Sequence, residues 1–217
     1  MYISLYCKTN NPKIMSQKIL QIITSLKGET SFSNQLSNAV IEKLKTAQPE
    51  SQVQILDLSK TPLPYLTDLH ISAVYTPEEA HTAEQTAAVK YSDEAIENLL
   101  EADVIVIGVP LYNFGIPAVL KGWIDQIARA GKTFSYADGS PKGLVTDKKV
   151  YLAIASGAVF SEGPYKSYDF SESYLRTVLG FMGMTDVTTF RVEGTAIPDL
   201  AENALPKALS SVEEFAF

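Results

Sequence analysis

Short apolar runs alternate along the chain with longer segments whose apolar residues recur at helical spacing. The first run, residues 18–24, is nearly continuous and contains β-branched residues, a pattern typical of a strand buried on both faces of a parallel sheet, and residues 104–109 form the most apolar run. Five such strands are predicted, at residues 18–24, 53–58, 104–109, 150–155 and 187–192.

Amphipathic helices are predicted between these strands. In the first, expected from about Asn34, one apolar stripe combines Leu36, Val40, Ile41 and Leu44. Further helices are expected from Pro117 to about Ala130, from Ser171 to Met182, and beyond Asp199, where Pro206 should kink or split the helix.

The longest helix is predicted to begin at Thr76. Thr76 can cap the helix, Pro77 fits its first position, and Glu79 completes a capping box. The helix is expected to run from there to about Glu101.

The alternation of strands and helices predicts one three-layer α/β domain over residues 15–217. Its five-stranded parallel sheet would carry helices on both faces, with right-handed crossovers. Five strands suit the flavodoxin-like order 2-1-3-4-5. Residues 1–14 show no sustained period and are interpreted as an N-terminal extension, the alternative being an added edge strand from Tyr2 to Tyr6.

Composition narrows the range of functions. The formal net charge of −7 disfavours nucleic acid and anionic membranes as partners, because both need a basic face. A single cysteine, Cys7, excludes an intrachain disulfide, a dithiol redox pair and a Cys-rich zinc site, so no metal is expected. No apolar run reaches the ~18 residues of a membrane span, and we expect a soluble, cytoplasmic protein.

In the order 2-1-3-4-5 the first, third and fourth strands are neighbours, so the loops that follow them should form one site. The first loop offers the hydroxyls of Ser25, Thr30, Ser31 and Ser33 just before a helix N-terminus, which suits a phosphate. The alternative is a plain loop with Ser33 as the helix N-cap. Gly28 stands alone, which disfavours a Rossmann dinucleotide site or an NTPase.

The other two loops suit a flat ring. Tyr112 and Phe114 place aromatic side chains after a buried strand, and Asn113 can hydrogen-bond to a ring edge. Residues 155–158, Ala-Ser-Gly-Ala, are small enough for backbone N–H groups to approach a ligand closely. The alternatives are aromatic packing onto the next helix and a routine tight turn.

A known family is similar to the chain at these residues. Residues 111–134, LYNFGIPAVLKGWIDQIARAGKTF, with Val109-Pro110 before them, closely resemble the diagnostic stretch of the bacterial FMN-dependent NADH-azoreductase and NAD(P)H:quinone oxidoreductase family, which has a flavodoxin-like fold. The resemblance extends over nearly the whole chain from Met15, including Tyr136, residues 143–145, 148–149, 163–164 and 174–186, and the first loop at residues 31–36.

The resemblance implies a set of FMN-binding residues. The phosphate would be held by Ser25, Ser31, Ser33 and the backbone of Phe32. The isoalloxazine would be lined by Leu111, Tyr112, Asn113 and Phe114, and its pyrimidine side by Ala155, Ser156, Gly157 and Ala158. Phe32 stands where the family often has a polar residue, and Ser156 and Ala158 where many members have Arg and Gly. The substrate pocket would be shaped by Tyr136 and Phe160.

The activity that the resemblance implies is transfer of hydride from NADH or NADPH through FMN to quinones and aromatic azo compounds, by a ping-pong mechanism. No catalytic side chain is expected, because the chemistry belongs to the flavin. The backbone N–H groups of Ser156 and Gly157 are predicted to stabilise charge near flavin N1. A homodimer is expected, with Trp123 and Ile127 either supplying contact area or lying in the core.

Two other functions remain open. A flavodoxin-type electron carrier has the same fold but is reduced by a partner protein. A serine-type hydrolase is less favoured, because Ser156 follows a strand without a G-x-S-x-G motif. His70 and His81 lie away from the three loops and are expected to be ordinary surface residues.

Overall fold

The computed structural model of the protein describes residues 16–137 and 139–217. The predicted extension at residues 1–14, and the alternative edge strand within it, lie outside the described residues. No helix in the described ranges is both long enough and apolar enough to cross a lipid bilayer.

The centre of the fold is a five-stranded parallel sheet, as predicted. Its strands are β1 (Lys18–Ile23), β2 (Gln52–Asp57), β3 (Val104–Pro110), β6 (Lys149–Ala155) and β7 (Asp186–Val192), in the order β2-β1-β3-β6-β7. In the central register Ile22 lies beside Ile107, and Ile107 beside Leu152. All seven residues of β3 are buried, which explains its unbroken apolar sequence.

When all strands are numbered along the chain, the sheet order is 2-1-3-6-7 and not the predicted 2-1-3-4-5, because two short strands that precede β6 were missed. β4 (Phe134–Ser135) and β5 (Lys142–Gly143) form a separate antiparallel pair between α4 and β6. Strands of two residues carry no periodic signal, so the hydrophobic pattern could not reveal them.

In the described residues, α-helices cover both faces of the sheet. α3 (Ala83–Glu101), α4 (Ala118–Ile127) and α5 (Phe170–Met182) bury their apolar residues in one core cluster, while α1 (Phe32–Ala47) and α6 (Pro198–Glu214) contribute to the other. The short α2 (Asp68–Tyr75) packs on α3. The predicted stripe of α1 is confirmed, since its four residues all lie in the second cluster.

The long helix begins at Ala83, so the predicted start at Thr76 is wrong. The capping box is formed by Thr82 and Gln85: the Thr82 N–H donates to Gln85 Oε1 at 3.0 Å, and the Gln85 N–H donates to Thr82 Oγ1 at 3.2 Å. Pro77 holds Thr76 in an extended conformation, with φ −94° and ψ 136°. The Thr76 N–H instead donates to the Ala73 carbonyl and closes α2.

Two further expectations about helices are resolved. α6 continues through Pro206 without a break. Trp123 and Ile127 are both 0% exposed and belong to the core beneath α4. They are therefore core residues and not a source of subunit contact area.

The β4–β5 pair depends on a close backbone contact. A Cβ atom at Gly143 would lie 2.2 Å from the backbone nitrogen of Gly183, at the end of α5. A Cβ atom at Gly180, one turn before Gly183 in α5, would have no neighbouring atom of the described residues within 4 Å.

We expect Gly143→Ala to lower the free energy of unfolding by about 2–4 kcal/mol, because two backbone segments must separate. Gly180→Ala, the matched control, should be neutral or raise stability by up to about 1 kcal/mol through helix propensity. Urea unfolding of the two variants measures both. Equal stabilities would contradict the proposed close contact.

Candidate functional site

Three loops meet at the carboxyl edge of the sheet. They follow β1, β3 and β6, which are neighbours in the sheet. The Thr24 hydroxyl donates to the Gly108 carbonyl at 2.6 Å, and the Leu111 N–H donates to the Ala155 carbonyl at 2.8 Å. These bonds join the end of β1 to β3 and the start of the second loop to the end of β6, so the strand order brings the three loops together.

The first loop contains a buried pair of serines. Ser31 is the N-cap of α1, its Oγ accepting from the Asn34 N–H at 3.4 Å, so the alternative with Ser33 as the cap is wrong. The Ser31 and Ser33 hydroxyl oxygens lie 3.0 Å apart, and the residues are 3% and 0% exposed. Ser25 is 1% exposed, and its hydroxyl accepts from the Lys27 N–H.

Donors at the start of α1 are uncommitted. Among the described residues, the N–H groups of Phe32 and Ser33 have no hydrogen-bond acceptor. The first turn of α1 contains no acidic residue. Free N–H groups, two hydroxyls and the positive end of the helix dipole make this a site for an anion such as phosphate.

Gly108 positions this loop and was missed by sequence analysis. A Cβ atom there would lie 3.3 Å from the Ser33 carbonyl oxygen and 3.5 Å from the Ser37 hydroxyl. The N-terminus of α1 thus packs directly on the backbone of β3. The signal was present, because an isolated glycine within an otherwise β-branched run indicates a close approach.

The second loop is a tight turn with positive φ at both central residues. Asn113 has φ 49° and Phe114 φ 68°, and Tyr112 and Gly115 exchange two backbone hydrogen bonds of 3.0 Å. This is the pattern of a type I′ turn, which asparagine tolerates and phenylalanine adopts only at a cost. Such strain concentrates at functional sites, and here it holds a half-exposed Phe114 at the tip of the turn.

Phe114 of this turn packs on aromatic residues that follow the third loop. Phe114 lies against Phe160 and Tyr168, with ring centroids 6.3 and 5.9 Å apart. Tyr112 keeps 36% of its surface exposed. The predicted ring-facing aromatic residues are therefore at the site, and Phe160 lies with them.

The third loop differs from the expectation in one donor. The Ser156 N–H donates to the Val192 carbonyl at 2.9 Å and extends the sheet, so its predicted role at flavin N1 is wrong. The Ser156 hydroxyl donates to the Ala158 carbonyl at 2.8 Å. Within the described ranges, the N–H groups of Gly157 and Ala158 have no acceptor, so they are the donors that this loop offers.

Tyr136 is not brought to the same place as Phe160. Its ring packs on Phe134 and Phe181, with centroids 5.6 and 6.5 Å apart. Phe181 is at the carboxyl end of α5, and α5 leads to the start of β7. Tyr136 therefore lies at the edge of the sheet opposite the three loops.

The histidines have structural partners. His70 is 5% exposed, so the prediction that it lies on the surface is wrong, and its Nδ1 is 3.2 Å from the Ala88 carbonyl. His81 Nε2 lies 2.9 Å from the Ala73 carbonyl. Neither ring is bonded to Ser156, and the described residues contain no cluster of metal-ligating side chains. The site offers no catalytic triad.

The family model described as flavodoxin-like fold matches residues 17–216. The chain is 48% identical over 196 residues to FMN-dependent NADH:quinone oxidoreductase 1 of Rhizobium etli, covering 90% of this chain and 96% of that protein. The FMN-dependent NADH:quinone oxidoreductase of Beijerinckia indica is 42% identical, with 91% and 98% covered. The chain belongs to this family of FMN-dependent oxidoreductases with a flavodoxin-like fold.

Solved structures agree with this family membership. Azoreductase AzrA superposes with a TM-score of 0.84 and 36% identity, over 90% of this chain and 96% of that one. An azoreductase from Bacillus anthracis str. Sterne gives a TM-score of 0.84 and 36% identity, over 91% and 97%.

Beside the three loops, this family member carries an ion-pair network that sequence analysis missed. The Arg191 guanidinium contacts Asp169 and Glu172 through Nη2, and Glu193 through Nη1 at 3.3 Å. The four side chains are between 8% and 22% exposed. Burial alone would raise the pKa of the Glu172 carboxyl, but hydrogen bonds from Arg191, Thr189 and Arg176 lower the pKa to about 2.

A large apolar groove opens between α4 and α5. It has a volume of about 930 Å³, and Tyr112 and Asn113 of the second loop form one end of it. Its remaining walls are formed by Gly115, Ile116, Pro117, Ala118, Lys121, Phe170, Ser173, Tyr174 and Thr177. The groove thus begins at the candidate site and continues along the outer helices.

The low pKa of Glu172 predicts a specific pH dependence. The folded pKa of about 2 lies below the unfolded value. Ionised Glu172 therefore stabilises the fold above about pH 4.5, and this contribution is lost as the pH falls towards 2.

We expect Glu172→Gln to lower the free energy of unfolding by a constant amount above about pH 5, with a difference from wild type that shrinks below it. Urea unfolding of both proteins between pH 7 and pH 2.5 measures this difference. A difference that stays constant over the whole range would show that the carboxyl is not held ionised.

Proposed function

We propose that the chain is an FMN-dependent oxidoreductase that transfers hydride equivalents from NADH or NADPH to quinones and aromatic azo compounds. The observation that carries this proposal is the buried pair Ser31 and Ser33 beside uncommitted N–H groups at the start of α1. The identity of 48% to an FMN-dependent NADH:quinone oxidoreductase supports it.

The residues of the site fit FMN. The hydroxyls of Ser31 and Ser33 and the N–H groups of Phe32 and Ser33 would hold the phosphate, with Ser25 close to the end of β1. Leu111, Tyr112, Asn113 and Phe114 would line the isoalloxazine, and the loop of Ala155, Ser156, Gly157 and Ala158 would face its pyrimidine side. Bound FMN would supply two-electron transfer between the nicotinamide and the acceptor.

The chain's own residues bind, orient and exclude water. The N–H groups of Gly157 and Ala158 are the preorganised donors for negative charge at the pyrimidine edge. The rings of Phe114 and Phe160 form an apolar wall that suits the flat nicotinamide and a flat acceptor in turn. One site used successively by both substrates implies ping-pong kinetics. Full cleavage of an azo bond to two amines takes four electrons and therefore two molecules of NADH.

The purified protein is expected to be yellow, to release a compound with the mass of FMN, and to lose its visible absorbance within seconds when NADH is added anaerobically. No reductase protein is present, so this result separates the oxidoreductase from a flavodoxin-type carrier. Bound flavin that NADH leaves oxidised would support the carrier. A colourless protein that takes up no added FMN would contradict both.

We further propose that the groove between α4 and α5 is covered by a second copy of the chain. Its walls include the half-exposed Phe170 and the apolar residues that precede α4. Next to α4, Tyr65 is 70% exposed and lies beside Gly122. Exposed apolar and aromatic residues around one helix are typical of a subunit interface.

Thr177→Arg should convert the dimer to a monomer, because Thr177 is an exposed groove residue and a charged side chain there is difficult to bury. The control is Thr46→Arg, an exposed threonine of α1 whose hydroxyl, like that of Thr177, donates to the carbonyl four residues earlier. Sedimentation velocity measures both. A wild-type monomer, or a Thr177→Arg dimer, would contradict the interface.

A further inference from the structure

The segment from Phe160 to Asp169 forms a strap beside the second loop. It contains an aromatic cluster in which Phe160 and Tyr168 contact Phe114, and Tyr165 lies between them with centroids 6.3 Å from each. The strap follows directly on the third loop. Its rings therefore line the candidate site next to Phe114 of the second loop.

Little of the strap is buried. Phe160 is 6% exposed, but Tyr165 and Tyr168 are 52% and 49% exposed. Apolar burial alone therefore does not fix its position, and polar anchors at its two ends must do so.

Both ends of the strap are anchored on carboxylates that meet at Arg191. At the first end, the N–H groups of Phe160 and Ser161 donate to Glu193 Oε1 at 2.7 and 2.9 Å. At the other end, Asp169 Oδ1 accepts from the N–H groups of Ser171 and Glu172 and caps α5.

One guanidinium holds these two anchors together. Arg191 pairs with Glu193 through Nη1, and with Asp169 and Glu172 through Nη2. It is the side chain that touches all three carboxylates, and it is 13% exposed. Without it, three mostly buried carboxylates would face one another, and the cation left in contact with them among the described residues would be the more exposed Arg176, through Glu172.

We propose that Arg191 is a positioning residue that closes the strap over the site and thereby sets the affinity for the flat acceptor. This inference rests on the proposed function. The hydrogen bonds and ion pairs of the Arg191 side chain among the described residues go to Asp169, Glu172 and Glu193, so it acts on the site through these anchors and the strap. Lysine cannot replace it fully, because a single ammonium lacks the planar fork that reaches carboxylates on two sides.

Hydrogen–deuterium exchange tests directly, without substrate, whether Arg191 anchors the strap. In Arg191→Gln, the peptide that spans residues 159–172 should exchange at least about tenfold faster, since the anchors of its protected amides are lost. Arg191→Lys should be intermediate. The matched control is Arg176→Gln, which removes another arginine bonded to Glu172 but leaves both strap anchors in place. In all variants, peptides from β3 should exchange as in wild type.

Steady-state kinetics then test the positioning role. In Arg191→Gln, the KM for a quinone should rise about five- to tenfold, in proportion to the lost aromatic contacts. The rate with ferricyanide, which takes electrons without stacking, should change less than about twofold. Arg176→Gln should behave as wild type with both acceptors.

Should Arg191→Gln not fold, Glu193→Ala provides the same test. It removes the anchor at Phe160 and Ser161 but leaves Arg191 paired with Asp169 and Glu172. Faster exchange in the first half of the strap and a raised quinone KM are expected.

Unchanged exchange of the strap in both variants would overturn the inference. An equal loss of activity with quinone and with ferricyanide would also overturn the inference, because a general structural defect lowers the rate with both acceptors. A wild-type protein that fails to oxidise NADH would contradict the proposed function. The exchange measurement does not depend on that function and would still show whether Arg191 anchors the strap. The role of Arg191 in acceptor affinity would then be lost.

Discussion

The close approach of α1 to the backbone of β3 at Gly108 is the constraint on which the candidate site depends. A side chain there would press on the Ser33 carbonyl, so the helix N-terminus would be displaced from the sheet. With glycine, the N-cap Ser31 and the neighbouring Ser33 are buried side by side. Among the described residues, the N–H groups of Phe32 and Ser33 next to them stay uncommitted and can bind an anion. A protein of net charge −7 can therefore bind phosphate without a basic patch, because fixed backbone N–H dipoles take the place of Lys and Arg side chains.

A strained turn and an ion-pair network hold the rest of the site. The turn at Asn113 and Phe114 stores backbone strain and presents aromatic side chains at the carboxyl edge. The strap on the other side is only partly buried and relies on an ion-pair network. A flat ligand between them would meet one rigid wall and one wall whose position depends on charges.

Much of the fold could be predicted from the sequence, since β1, β3 and β6 are nearly continuous apolar runs and α1 has a clear stripe. The failures have physical causes. Thr76-Pro77-Glu78-Glu79 matches a helix start, but proline also forces the preceding residue out of the helical region, and Thr82 caps the helix instead. The β4–β5 pair is too short for any periodicity.

At the site, the three loops were predictable because the strand order brings them together, and residue type indicated what each could bind. Which N–H groups are free was not predictable: Ser156 uses its donor in the sheet, whereas Gly157 does not. The Arg191 network was equally hidden, since its four members are spread over residues 169–193 and meet only when β7 lies beside the start of α5. Tyr136 was placed wrongly because it follows the short β4 strand, and the sequence does not reveal where such a short hairpin folds back.

The most direct measurement compares the affinities of the cofactor-free protein for FMN and for riboflavin, which differ only in the phosphate. If the first loop is an anion cradle, several charge-assisted hydrogen bonds are lost with riboflavin, and FMN should bind at least about 100-fold more tightly. Fluorescence titration at constant salt provides both constants. Equal affinities would show that the start of α1 does not hold the phosphate and would contradict the account of this site.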